Sequence, residues 1–277
     1  MSGFSADWLA LREPADMRAR NRELAAALSA RLSLRDHLEV VDLGCGTGSN
    51  LRGTAPLLGA SQSWTLVDYD AALLDAARGA LAGWADRFRL AGDGLALEKD
   101  GRRISVTFRR ADLAQDLEAA LGAQVDLVTA SALFDLASPA FIAAFARAVA
   151  RRRAVFYTVL TYNGIQRWTP RSPADNALAA AFHAHQMRDK GLGASAGPTA
   201  PAHLADAFRI EGYSVLEGDS PWVLDRRDAA LVDELARGYA TAVAETGKVD
   251  AATLAAWSKL ARSGAEVGHT DTLAMPA

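Results

Sequence analysis

Three glycines at alternate positions follow a short apolar run near the start of the chain. The segment reads VVDLGCGTGSN over residues 40–50, and the glycines are Gly44, Gly46 and Gly48. Glycine adopts backbone angles that side chains forbid, and it lets another group approach the backbone closely. The segment therefore predicts a sharp strand-to-helix turn that lies against a ligand; a tight turn without a ligand is the alternative.

Short apolar runs alternate with helical patterns over residues 38–160. The runs are LEVVDL, WTLVD, ISVTF, VDLVTA and AVFYTVL. Between them, Asp70 and Ser138 stand in N-cap positions ahead of residues with helical apolar spacing. Alternating strands and helices are typical of a doubly wound α/β fold with a mostly parallel sheet.

Hairpin signals interrupt this alternation. Asp100 and Gly101 separate two alternating runs and predict a β-hairpin inserted near 94–109, ahead of the third parallel strand. Asn163 and Gly164 offer a second hairpin of the same kind. We expect a helix over about 173–190 after it.

The sequence as a whole predicts one domain over 1–277, made of three parts. An N-terminal helical segment, 1–37, is expected ahead of the alternating part, 38–160. The remaining part, 161–277, reads as two antiparallel strands at YSVLEG and PWVLD followed by C-terminal helices. The last residues, GHTDTLAMPA, carry His269 and Asp271 and read as a tail that need not be ordered, or that closes over the site.

Composition limits the partners of this chain. Half of its 277 residues are hydrophobic, and its formal net charge is −3, which gives no excess of cations for a phosphate backbone. Nucleic acid is therefore an unfavoured partner. Its one cysteine excludes an internal disulfide, and no apolar run approaches the roughly 20 residues that span a bilayer. The start of the chain lacks the pattern of a secretory signal, so we expect a cytoplasmic protein with no membrane partner and leave the oligomeric state open.

The glycine pattern discriminates between cofactor classes. A dinucleotide site uses Gly-x-Gly-x-x-Gly, and a phosphate loop ends in Gly-Lys-Ser or Gly-Lys-Thr; neither is present here. The acid-x-Gly-x-Gly-x-Gly segment that starts at Asp42 resembles the first motif of class I S-adenosylmethionine-dependent methyltransferases. Asp68, twenty residues after Gly48, ends the next strand, where cofactor sites of this architecture place an acid for the ribose hydroxyls.

The resemblance covers about residues 38–135 and implies a Rossmann-like, mostly parallel seven-stranded sheet. It also implies a methyltransferase that binds S-adenosyl-L-methionine and releases S-adenosyl-L-homocysteine. The cofactor-binding residues that it implies are Asp42, Gly44, Cys45, Gly46, Gly48, Asn50, Asp68, Tyr69, Asp112, Leu113, Ala130 and Ser131.

Two of these residues have other interpretations. Tyr69 lies along the adenine in the resemblance, but an aromatic residue in such a turn is also an ordinary packing choice. Asp112 follows the third strand, where the family places an acid that accepts from the adenine amino group. It also stands where it can cap the helix DLAQDLEAAL.

Catalytic candidates come from the second half of the chain and from the end of the fourth strand. On a helical wheel His185 shares a stripe with Leu178, Phe182 and Asp189, whereas His183 points away from it. A histidine beside an acid is a candidate general base, although a structural histidine is equally consistent. Further candidates follow His185 in the order His183, Asp135 and Tyr162; Asp135 alternatively caps a turn. The spacing of the two histidines does not favour a metal site.

These observations predict methyl transfer to a small polar molecule, with N- or O-methylation favoured and a histidine as a possible base. A protein or RNA methyltransferase, or a protein that binds the cofactor without catalysis, remains an alternative. The motif Asn-Pro-Pro-Tyr or Asp-Pro-Pro-Tyr, with which related enzymes grip a flipped base, is absent. The N-terminal segment is expected to fold over the cofactor; Arg12 there either meets a carboxylate or lies on a solvated helix face.

Overall fold

The computed structural model describes residues 4–277. Within them, five strands form the centre of one sheet and run parallel to one another in the spatial order β5-β2-β1-β6-β7. Their bounds are β1 Leu38–Leu43, β2 Ser61–Asp68, β5 Arg102–Arg110, β6 Leu127–Ser131 and β7 Val155–Thr169. The alternation in the sequence predicted these five strands and their parallel arrangement, and both are confirmed.

Two further strands, β10 and β8, complete the seven-stranded core beyond β7. The strand β10, Gly264–Pro276, runs antiparallel between β7 and β8, Tyr213–Asp219. The short strand β9, Trp222–Leu224, also pairs with β10. The interpretation of residues 268–277 as a tail is therefore wrong, because those residues form most of a strand inside the sheet.

The predicted insertion at the other edge of the sheet is confirmed. The strand β4, Gly94–Lys99, pairs with β5 through a turn in which Asp100 and Gly101 have φ of 48° and 75°. Positive φ at both positions is the geometry of a type I′ hairpin. The structure adds one strand that the sequence pattern did not reveal, β3 Arg87–Ala91, paired with β4.

The second predicted hairpin, at Asn163 and Gly164, does not form. The strand β7 continues through both residues, with φ of 92° at Gly164. Its register against β10 shifts there, since His269 pairs with Tyr162 but Val267 pairs with Gln166. The positive φ of the glycine is therefore used in a bulge of a continuous strand.

Helices cover both faces of the sheet. They are α1 Ala6–Ala19, α2 Arg22–Leu32, α3 Ser49–Thr54, α4 Ala71–Trp84, α5 Leu113–Leu121, α6 Pro139–Arg152, α7 Asp175–Gln186, α8 Ala200–Ile210, α9 Ala229–Ala244 and α10 Ala251–Ser258. Asp70 caps α4 and Ser138 caps α6, as predicted. The helix α7 ends four residues before the predicted limit of 190.

Apolar side chains fill the space on each side of the sheet. On one side, Phe134, Phe145, Phe156 and Phe208 pack ring against ring, with neighbouring centroids 4.7–6.0 Å apart. The other side contains the buried indoles of Trp64, Trp168 and Trp257. Among residues 4–277 no helix is long and apolar enough to cross a membrane.

Candidate cofactor and active site

The glycine turn follows β1 at the carboxyl ends of the parallel strands. Gly44, Gly46 and Gly48 all have positive φ, at 62°, 51° and 74°. A Cβ at Gly46 would lie 2.8 Å from Leu9 Cδ1 of α1, so a side chain there would collide with the N-terminal helix. The turn therefore requires glycine for its backbone angles and, at Gly46, for the close approach of α1 as well.

Asp68 closes this turn from the neighbouring strand. The backbone N–H of Gly46 donates to its Oδ2 at 2.8 Å, and the N–H of Asp70 donates to its Oδ1 at 3.0 Å. Burial raises the pKa of Asp68, although the residue keeps some solvent exposure. Its neighbour Tyr69 is 50% exposed, with the guanidinium of Arg110 5.7 Å from the ring centre. The carboxylate that the sequence predicted for a ribose thus lies against the glycine turn and beside an exposed aromatic ring.

Asp42 lies beneath the turn in a buried polar network. The side-chain amide of Asn50 donates to its Oδ1 at 2.7 Å, and Asn50 Oδ1 accepts from Arg20 Nη2 at 2.9 Å. The other oxygen, Asp42 Oδ2, is buried and has no hydrogen-bond partner. Burial raises the pKa of Asp42 to about 7. A buried acceptor without a donor is rare in folded proteins, which makes Asp42 a candidate for contact with a ligand.

The remaining cofactor candidates occupy different environments. Asp112 caps α5, where its Oδ1 accepts from the N–H of Ala114 at 3.0 Å. The side chains of Cys45, Leu113 and Ala130 are buried, and Ser131 is half-buried at the end of β6. The N-cap interpretation of Asp112 is thus observed, and its contact with an adenine stays a prediction. The helix that follows the glycine turn, α3, has six residues.

Asp135 lies just past the end of β6, close to the glycine turn. Two residues earlier, Leu133 Cδ1 lies 3.2 Å from the position that a Cβ at Gly44 would take. Asp135 is 8% exposed, and burial raises its pKa to about 6, with the backbone N–H of Tyr162 acting in the opposite direction. Its Oδ1 has no partner.

Tyr162 and His183 form a pair beside Asp135. The hydroxyl of Tyr162 and His183 Nε2 are 3.1 Å apart, and the same nitrogen lies 3.2 Å from the carbonyl oxygen of Gly164. Burial, with the nearby charge of Asp135, raises the pKa of the Tyr162 hydroxyl above its ordinary value. Three of the four catalytic candidates therefore lie in one cluster.

His185 does not join this cluster. Its Nε2 lies 2.9 Å from Glu245 Oε2, just past the end of α9, and its Nδ1 lies 3.5 Å from Lys190 Nζ. Asp189 follows the end of α7 and accepts from the N–H of Gly191, so the expected stripe of His185 and Asp189 on one helix face does not form. The wheel argument failed because it extended α7 beyond Gln186.

Of the two interpretations of Arg12, the structure shows the one in which it meets a carboxylate. Arg12 is 9% exposed and donates from Nε and Nη2 to Asp16 at 2.9 and 3.2 Å. Its guanidinium lies 5.0 Å from the ring centre of Trp222, whose Nε1 donates to Asp16 Oδ1 at 3.0 Å. The other interpretation, a solvated helix face, is wrong; the spacing of four residues between Arg12 and Asp16 is the signal that identifies the partner carboxylate.

His269 is a residue that sequence reasoning did not place. It is 6% exposed, faces Tyr162 across the β7–β10 pair, and its ring centre lies 5.2 Å from that of Trp222. Burial and the charge of Arg12 lower its pKa to about 3. No sequence pattern identifies it, because only the placement of β10 brings it beside Tyr162.

Comparisons with known proteins identify the fold. No family model and no curated protein matches the sequence. The cyclopropane synthase MmaA2 from Mycobacterium tuberculosis aligns with 98% of this chain and 94% of its own, at 13% identity and a TM-score of 0.53. A cyclopropane-fatty-acyl-phospholipid synthase-like protein from Lactobacillus casei aligns over the same shares, at 15% identity and a TM-score of 0.51.

A third solved structure is an S-adenosylmethionine-dependent methyltransferase from Geobacter sulfurreducens in complex with S-adenosyl-L-homocysteine. It aligns with 100% of both chains at 18% identity and a TM-score of 0.47. That superposition is too loose to add to the fold assignment. The two better superpositions show similarity of fold, and the chemistry has to be argued from the side chains of this chain.

Proposed function

We propose that this chain, which has the Rossmann-like fold of class I methyltransferases, is an S-adenosylmethionine-dependent methyltransferase that acts on a small polar molecule. The observation that carries the proposal is the arrangement of Asp68 and Asp42 around the glycine turn. Asp68 offers a partly exposed carboxylate, and Asp42 offers a buried oxygen without a donor. The cytoplasmic location expected from the sequence stays a prediction.

The residues around the glycine turn fit the proposed cofactor. A ribose needs acceptors for two hydroxyl donors, and Asp68 provides them beside the exposed ring of Tyr69. A methionine part brings an ammonium group, and the unpartnered Asp42 Oδ2 is an acceptor that lacks a donor. The donors and acceptors are therefore complementary at both ends of the turn.

The cofactor supplies a methyl group already activated on a positively charged sulfur. The protein has to hold the acceptor atom in line with that methyl group and to exclude water, and positioning of this kind contributes roughly 7–11 kcal/mol. Exclusion of water is served by α1, whose Leu9 lies over Gly46. Glu13 of the same helix accepts from Arg52 Nε at 2.8 Å, and Arg52 also donates to the carbonyl of Thr47 within the turn.

An oxygen or ammonium acceptor has to lose a proton during transfer. The cluster of Asp135, Tyr162 and His183 supports N- or O-methylation, because it places groups that accept protons beside the glycine turn. Asp135 is the strongest candidate, since its raised pKa of about 6 makes it a better base than an ordinary aspartate and leaves it ionised at neutral pH. His183 then holds the Tyr162 hydroxyl, and His185, paired with Glu245, is the least suited of the four candidates.

The test of this proposal is calorimetric titration with S-adenosyl-L-methionine and S-adenosyl-L-homocysteine on the wild type and on Asp68→Ala. We expect both ligands to bind the wild type and the variant to bind at least about tenfold more weakly, because a hydrogen-bonded charged group contributes about 1.5–3 kcal/mol. The matched control is Asp75→Ala, which removes a carboxylate that is 82% exposed on α4. A folded wild type that binds neither ligand contradicts the proposal.

A further inference from the structure

Two buried polar atoms close to Tyr162 have no hydrogen-bond partner. Asp135 Oδ1 and His269 Nδ1 are both buried and lack a hydrogen-bond partner. Buried polar atoms nearly always find a partner, and an unsatisfied one costs about 1–3 kcal/mol. Both atoms belong to residues that neighbour Tyr162, and they point to a group with hydrogen-bond donors that the folded chain itself does not supply.

The neutral ring of His269 is able to accept a hydrogen bond at this position. Its lowered pKa keeps the ring neutral, so that one ring nitrogen carries a proton and the other carries a lone pair. The backbone oxygen of His269 accepts from the N–H of Ser220 at 3.0 Å, whereas the ring nitrogen Nδ1 has no partner. In the tautomer that carries its proton on Nε2, this Nδ1 holds the lone pair and accepts a hydrogen bond.

Tyr162 connects the two acceptors. Its backbone N–H lowers the pKa of Asp135, as a donor near that carboxylate does. Tyr162 of β7 pairs with His269 of β10, and the centres of their two rings lie 6.4 Å apart. The charge of Arg12 lowers the pKa of both Asp135 and His269. Its guanidinium lies 5.0 Å from the ring centre of Trp222, and that ring lies 5.2 Å from the ring of His269.

The charges of the cluster do not cancel without a ligand. Arg12 is engaged by Asp16 through two hydrogen bonds, so this pair is neutral as a unit. Asp135 has no cationic hydrogen-bond partner and His269 is neutral, which leaves one negative charge. A buried carboxylate without a paired cation is costly, and a bound cation would remove that cost.

We propose that the methyl acceptor is an amine that binds as its ammonium form, donating to Asp135 Oδ1 and to His269 Nδ1. This inference rests on the proposed function and deepens it by naming the substrate class. An ammonium group supplies several donors and a positive charge, whereas a hydroxyl supplies one donor and no charge. Tyr162 and Trp222 are the aromatic residues beside it.

The transfer step balances with these groups. One proton moves from the ammonium nitrogen to the Asp135 carboxylate and leaves a lone pair on nitrogen. The nitrogen then forms its bond to the methyl carbon while the carbon–sulfur bond breaks, and the electron pair of that bond stays on sulfur. Asp135 is thus the catalytic residue of the step, and His269 orients the nitrogen.

The experiment uses ammonium chloride as the probe and potassium chloride as its reference, because the two cations are similar in size and only ammonium donates hydrogen bonds. The midpoint of thermal unfolding is measured in equal concentrations of the two salts, with and without saturating S-adenosyl-L-homocysteine. We expect ammonium to raise the wild-type midpoint above the potassium value by roughly 2–4 °C at concentrations well above its dissociation constant.

The variants Asp135→Asn and His269→Phe assign that shift to the two acceptors. We expect Asp135→Asn to abolish the difference between the salts and His269→Phe to reduce it, each compared with its own midpoint in potassium. The matched control is Asp206→Asn, whose side chain is 73% exposed on α8 and which should keep the full difference.

Equal midpoints in the two salts for the wild type would overturn the inference, and so would an ammonium shift that survives in both variants. Binding of S-adenosyl-L-homocysteine is measured on the same samples. Cofactor binding without an ammonium effect rejects the amine and leaves the proposed function standing, whereas loss of cofactor binding by the folded wild type rejects the proposed function itself.

Discussion

At the scale of single residues, the site depends on carboxyl groups whose charged form is disfavoured by burial. Asp42 is completely buried, with one oxygen bound by Asn50 and the other without a partner. Because burial disfavours the charged form, the folded protein holds the pKa of Asp42 at about 7, above the value of 3.8 of a free carboxyl. Such a group destabilises the unliganded protein, and it favours the complex with a ligand that brings a hydrogen-bond donor.

Asp42 therefore makes the stability of the unliganded protein depend on pH. When folding raises the pKa of a carboxyl, its contribution to the stability of the folded protein is fully present below the unfolded pKa. That contribution is lost as the pH rises through the folded pKa. The loss falls between about pH 4 and about pH 7 for the pKa values of 3.8 and about 7. Replacement of Asp42 by a neutral residue removes this dependence.

We compare the free energy of unfolding of Asp42→Asn with that of the wild type at about pH 5 and at about pH 8. We expect the difference, variant minus wild type, to increase by about 3 kcal/mol from the lower to the higher pH. The measurement is urea unfolding of both proteins at the two pH values in the absence of ligand. Asp36→Asn, at an exposed position, serves as the control. A stability difference for Asp42→Asn that does not change with pH would show that the carboxyl titrates normally in the folded protein.

At the scale of elements, α1 holds the glycine turn and the Asp135 cluster together. Leu9 covers Gly46, and Arg52 connects Glu13 of the helix to the turn. One helical turn further on, Asp16 accepts from Trp222 Nε1 beside β10. The helix therefore depends on polar contacts to both parts of the site.

We expect Trp222→Phe to loosen α1 selectively. The change keeps an aromatic ring but removes the donor to the buried carboxylate of Asp16, a contact worth about 1.5–3 kcal/mol. Hydrogen exchange of the α1 amides should accelerate by about tenfold or more relative to those of the central strands.

Trp64→Phe is the matched control for this measurement. It makes the same chemical change in β2, where Trp64 Nε1 donates to Gln62 at 2.8 Å, away from α1. It should lower the overall stability without selective exchange in α1. If both variants accelerate exchange evenly over the chain, the contact between Asp16 and Trp222 does not anchor the helix.

At the scale of the whole molecule, the last strand completes the sheet. β10 separates β7 from β8 and pairs with both, and Leu273 and Ala274 within it are fully buried. Asp271 of this strand accepts from the backbone N–H of Leu160 at 2.8 Å and from that of Asn21 at 2.9 Å. The end of the chain therefore joins the N-terminal helices to the parallel half of the sheet.

We expect a chain that ends at Ser263 to lose cooperative unfolding, because β8 and β7 are then left with unpaired edges and exposed apolar faces. The measurement is thermal unfolding followed by circular dichroism. A chain that ends at Pro276 loses one residue and should unfold as the full chain does. A cooperative transition in the shorter chain that matches the full chain would show that β10 adds little to the fold.

The sequence predicted those parts of the molecule in which local pattern and tertiary structure agree. The five parallel strands, the hairpin at Asp100 and Gly101, and the caps Asp70 and Ser138 depend on contacts within a few residues, or on apolar runs that are buried wherever they lie. The glycine turn and Asp68 belong to the same class, since a strand, a turn and an acid at a set spacing define them.

Only the tertiary structure placed the last strand inside the sheet and brought together the residues around Asp135. His269, Asp271 and Thr272 are polar and read as solvated, yet they are buried. Asp271 is buried because partners distant in the chain, Leu160, Ser220 and Asn21, satisfy its carboxylate. Local pattern records hydrophobicity and turn chemistry, whereas the partners of a polar group are fixed only when the whole chain has folded.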